Sequence, residues 1–131
     1  MQNLDQVRAA HALNWLKKVN IDAKKPVLVR RDAAKLPAML LSNGLLATFA
    51  FACEEGKAPR SGLKKACEGI AVHLGQSATG ISELAGITSP ETLTDKLAQG
   101  DAFTLQRATA EALAYLSYLK RYAPKKDKVA H

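Results

Sequence analysis

The residues able to do chemistry in this 131-residue chain are few and scattered. Histidines stand at His11, His73 and His131, cysteines at Cys53 and Cys67, and neighbouring carboxylates at Glu54 with Glu55 and at Glu91 with Asp95. A metal centre draws on ligands at short characteristic spacings, and the chain contains neither CxxC nor HExxH; GxGxxG, phosphate-loop and GxSxG patterns are missing too. Cys53, Cys67, His73 and His11 could meet on zinc inside a helical bundle, but nothing in their spacing asks for it. Each thiol instead falls on an apolar helical face, where a free cysteine behaves as a small hydrophobe, so a disulfide is disfavoured. The carboxylate pairs fall at helix ends, with no base or nucleophile beside them. An enzyme is therefore not expected, and no cofactor or metal is called for.

Basic residues remain, and their distribution says more than the net charge of +7. Residues 1–65 carry twelve Lys/Arg against five Asp/Glu, residues 66–119 two against six, and residues 120–131 five against one. Lys17 and Lys18 end the first helical segment. The stretch from Asn20 to Arg31 then loses its periodicity and gathers Lys24, Lys25, Arg30 and Arg31 in a basic loop, with Lys35 just beyond. Lys120 and Arg121 close the last helix, where cations also complement the macrodipole. Arg8 lies in the apolar row Arg8, Ala12, Trp15, Val19, so it must snorkel, pair with a carboxylate or reach a partner; pairing is favoured because buried arginines are normally paired. Such a footprint attracts phosphate backbones at long range, and it is equally what a solubilising surface provides. Aromatic residues make up only 5% of the chain, which speaks against a base-stacking platform of the RNA-recognition-sheet kind.

The elements that must position these residues read as helices throughout. A chain 47% hydrophobic, with apolar residues at three- and four-residue spacing and almost no β-branched runs, predicts one all-α domain of five to six helices over residues 1–123. Residues 124–131 form a charged tail with nothing to bury, expected to be disordered. Lys35 to Phe51, KLPAMLLSNGLLATFAF, is apolar around the whole helical projection and is expected to be the buried central helix, bent near Pro37, with Gly44 admitting a close helix crossing. Asp32 is a candidate cap for that helix, Ser61 for the next, Ser89 with Pro90 for a short fourth and Asp101 for the last. In the last helix Leu105, Ala108, Ala112, Tyr115, Leu119 and Tyr122 form a packing seam. The charged N-terminus lacks the apolar stretch of a signal peptide or anchor, so a cytoplasmic address is expected.

KLPAMLLSNGLLATFAF, with QVRAAHAL before it and ALAYLSYLKRYA after it, resembles the small helical subunit of type III-B CRISPR (Cmr) RNA-guided effector complexes, and the resemblance spans the domain. It implies an all-α protein without catalytic activity that serves antiviral defence. Copies would stack in a minor filament beside the backbone and large subunits and line the path of guide and target RNA, with no membrane involved. Arg8, Lys17, Lys18, Lys24, Lys25, Arg30, Arg31, Lys35, Lys120 and Arg121 are the candidate RNA-facing residues. The small subunit of type III-A complexes has a similar role and stays open as an alternative. So do a helical protein–protein adaptor and a helix-turn-helix DNA binder, the last weakened because the third helix offers only Arg60, Lys64 and Lys65 at its start.

Overall fold

The computed structural model describes residues 2–21, 25–54 and 61–125, and within them the chain is all-helical. Six α-helices follow in order: α1 (Leu4–Asn20), α2 (Arg30–Asn43), α3 (Leu45–Ala52), α4 (Ser61–Leu74), α5 (Pro90–Gln99) and α6 (Ala102–Tyr122). Two 3₁₀ turns, Ser77–Thr79 and Ser82–Leu84, fill the connection between α4 and α5. No strand occurs among the described residues, and no helix in them is long and apolar enough to cross a membrane.

Helix starts follow local chemistry. The Asn3 side chain accepts from the Gln6 N–H at 2.9 Å while Gln6 Oε1 accepts from the Asn3 N–H at 2.9 Å, a reciprocal cap. Ser89 Oγ accepts from the Thr92 N–H ahead of Pro90, and Asp101 accepts from the Thr104 N–H at 2.8 Å, as expected of both. Asp32 is not the N-cap residue of α2. It lies in the first turn, where its carboxylate accepts from the N–H of the N-cap residue Val29 at 3.4 Å, and Arg30 and Arg31 belong to the helix rather than to a loop.

The expected central helix is two helices. α2 runs on through Pro37, and the break comes at Gly44, whose φ of +84° is a left-handed region closed to most side chains. No helix crosses there, since a Cβ on Gly44 would meet no atom within 4 Å. The break also re-aims the apolar residues: Leu36, Leu40, Leu45 and Phe49 are buried, whereas Leu41 is 74% and Phe51 42% exposed.

The central helix is α4, which packs against α1, α2, α3, α5 and α6. Its small residues make that possible. Gly62, Ala66, Gly69 and Ala71 are all buried, and a Cβ on Gly69 would stand 2.6 Å from Trp15 Cδ1 and 3.0 Å from the Tyr115 hydroxyl. The close crossing expected at Gly44 is found here instead. Helix α6 lies against α1 and α2 through the predicted seam, of which Ala108, Ala112, Tyr115 and Leu119 are buried and Tyr122 is not.

Candidate nucleic-acid interface and the buried polar network

Two sets of contacts give the relative direction of α1 and α6. Near their N-terminal halves Arg8 bonds Glu111. Near their C-termini the Asn20 amide holds Val27 and Leu28, and Arg30, two residues on, is tied to the end of α6. The Arg30 N–H donates to the Pro124 carbonyl at 2.7 Å, and its guanidinium donates to the carbonyls of Lys120 and Arg121 at 3.1 and 2.8 Å. The helices therefore run the same way, and their C-terminal turns share one end of the bundle with the start of α2.

That end collects the basic residues. Lys17, Lys18, Lys25, Arg31, Lys35 and Arg121 are exposed there or one turn along α2, and Lys120 is half-buried beside them. The two pairs in the last turns of α1 and α6 also face the negative ends of parallel helix dipoles. The Arg30 guanidinium closes carbonyls left open at the end of α6. Lys24 lies outside the described residues.

Arg8 is held inside the protein. Its Nε and Nη2 donate to the two Glu111 oxygens at 2.7 and 2.8 Å, and Nη1 donates to Asp5 at 2.9 Å. Glu111 also meets His73 Nε2 at 2.9 Å, and His73 Nδ1 lies 2.7 Å from His11 Nδ1. A carboxylate accepts only, so His73 Nε2–H donates to Glu111, and a single proton lies between the facing Nδ1 atoms of His73 and His11. The His73 ring stacks on Tyr115 with centroids 4.5 Å apart. Burial alone would raise the Glu111 carboxyl, but the hydrogen bonds from Arg8 and His73 prevail and hold it at about 2. The bond to Glu111 raises the Arg8 guanidinium further, and burial with His73 beside it lowers the His11 imidazole.

Glu111 does not stand out among the carboxylates of the sequence, although a signal is there: it sits one turn from both Ala108 and Tyr115 on the core seam, just as Arg8 sits in the apolar row of α1. Opposite charges on two core rows point to a pair. The histidines, isolated in sequence, are neighbours in space. Cys53 and Cys67 are free thiols in hydrogen-bond contact, with the Cys67 thiol pushed up by that contact and by burial. Among the described residues no three His, Cys, Asp or Glu side chains gather to hold a metal.

Comparison with protein-family models matched residues 4–125 to CRISPR-associated protein (Cas_Cmr5). The chain belongs to this family. The match runs from the first residue of α1 to Lys125, beyond the end of α6, and so covers the motif at Lys35–Phe51, the basic end and the Arg8–Glu111 network together. It agrees with the resemblance to the small subunit of type III-B complexes. No curated protein and no solved structure matches the chain.

Proposed function

We propose that this chain is the non-catalytic small subunit of a type III-B effector ribonucleoprotein and that its basic end lines the path of the target RNA. The observation that carries the reading is the convergence of Lys17, Lys18, Lys25, Arg31 and Arg121 at one end of the bundle, produced by the parallel course of α1 and α6. In a guided complex base pairing reads sequence, and the protein along the strand supplies charge that tracks phosphates. Exposed, flexible lysines suit that task.

Within the acid-rich region from residue 66 to 119, Glu91, Asp95 and Asp101 are exposed on and beside α5, an electrostatic complement to the basic end that supports head-to-tail stacking of copies into a filament. Leu41, exposed on the row that includes Ala34 and Ala38, supplies an apolar face for another subunit of the complex.

The deciding experiment changes Lys17, Lys25, Lys35 and Arg121 together to Gln and measures target-RNA capture by the assembled complex over a range of salt. All four are exposed. Capture should weaken for every target sequence, and the log–log salt slope should flatten by roughly 0.7 for each phosphate that is no longer neutralised. Unchanged capture and slope with assembly intact would remove the RNA role and leave a protein–protein adaptor.

A further inference from the structure

An open cavity of about 340 Å³ lies between α1 and α4, next to the basic end. Trp15 forms one wall, its ring held by the bond from Nε1–H to the Lys65 carbonyl at 2.8 Å. The amides of Asn14 and Gln76 line the mouth with Lys18, whose ammonium stands 5.4 Å above the Trp15 ring, and His11 lines it as well. Tyr115 lines the interior, and its buried hydroxyl has no hydrogen-bond partner among the described residues. A buried donor without an acceptor is unfavourable, and native interiors rarely leave one. Gly69, with no side chain, borders both the Trp15 ring and that hydroxyl.

The lining describes its ligand. The volume lies at the lower end of the roughly 300–1,000 Å³ range of small-molecule sites, room for about one nucleotide. Single-stranded RNA is recognised through unstacked bases laid against aromatic rings and hydrogen-bonded along their edges. A primary amide carries donor and acceptor side by side, as a base edge does. Among the described residues no carboxylate lines the cavity to repel a phosphate, and Lys18 belongs to both the mouth and the basic end.

We propose that the cavity receives one base extruded from the RNA strand on the basic end. The base lies against Trp15, Asn14 and Gln76 hold its edge, Lys18 meets the adjoining phosphate, and the Tyr115 hydroxyl gains an acceptor. This rests on the RNA-path reading and deepens it, adding one base contact to an otherwise charge-driven surface. It is a single pocket, distinct from the stacking platform that the low aromatic content disfavours.

Trp15 is the chain's one tryptophan, so its fluorescence reports this cavity. The full-length chain is titrated with a dye-labelled RNA hexamer and with an abasic ribose-phosphate strand of the same length and charge. The hexamer should quench Trp15 and the abasic strand should not. Asn14→Ala with Gln76→Ala, both exposed positions, should raise the half-quenching RNA concentration about tenfold with unchanged circular dichroism. Binding seen by the dye without Trp15 quenching, or equal quenching by the abasic strand, would overturn the base pocket while leaving the RNA path standing. Failure of the hexamer to bind at saturating concentration would also overturn it, and capture by the assembled complex judges the RNA path separately.

Discussion

At the scale of single residues, one ion pair joins positions 103 apart, Arg8 with Glu111. Arg8→Ala would strand a buried carboxylate between His73 and the core, a change that typically costs about 3–5 kcal/mol. Urea unfolding should show that loss, and Arg8→Met with Glu111→Leu should recover much of it by removing both charges. The same network makes stability depend on pH. The Glu111 carboxyl titrates at about 2 in the folded chain against an ordinary 4.5, so its contribution is complete above 4.5 and is lost as pH falls toward 2. His11 acts with the same sign, because its folded value lies below 6.5: its contribution is complete above 6.5 and declines as pH falls below it. Melting temperature should therefore fall in two stages on acidification, with Glu111→Gln shrinking the lower one, to which the Asp101 cap also contributes. A single transition unaffected by that substitution would contradict the network.

Among the elements, two glycines and one arginine set the geometry. Gly44→Ala would force an L side chain to a φ of +84°, at roughly 1–2 kcal/mol. Gly69→Ala would drive a methyl into Trp15 and the Tyr115 hydroxyl, at about 1–3 kcal/mol, and should also blue-shift or broaden Trp15 emission. Arg30 separates structural from surface cations. Arg30→Gln should lower stability by about 1–3 kcal/mol because carbonyls at the end of α6 lose charged donors, whereas Lys17→Gln on the exposed face of α1 should stay within about 0.5 kcal/mol. Equal small effects in urea titrations of both variants would return Arg30 to the RNA-facing set.

For the whole molecule, the parallel course of α1 and α6 turns three separated basic stretches into one charged end, and stacking through the opposite charge predicts salt-sensitive self-association by sedimentation. Dissociation should follow rising salt, since exposed charges are screened within about 8 Å at physiological ionic strength. How much of this the sequence reveals depends on the range of the interaction. Caps at Ser89 and Asp101, the helical class and the α6 seam are written in residues three or four apart, so they are legible without a structure. Periodicity tells which face of a helix turns inward but not which neighbour it meets. For that reason Lys35–Phe51 reads as one buried helix, although a single left-handed glycine divides it and exposes Leu41. The apolar row of Arg8 favours a paired arginine, yet its partner, the meeting of His11 with His73, the anchoring of Arg30 on α6 and the cavity beside Trp15 were decided only when six helices packed. Composition and local spacing determined an all-α, basic chain with defined helix starts. Tertiary structure chose which cations hold the protein together and which are left for a partner, because a buried charge is tolerable only where folding brings its counter-charge within hydrogen-bonding distance.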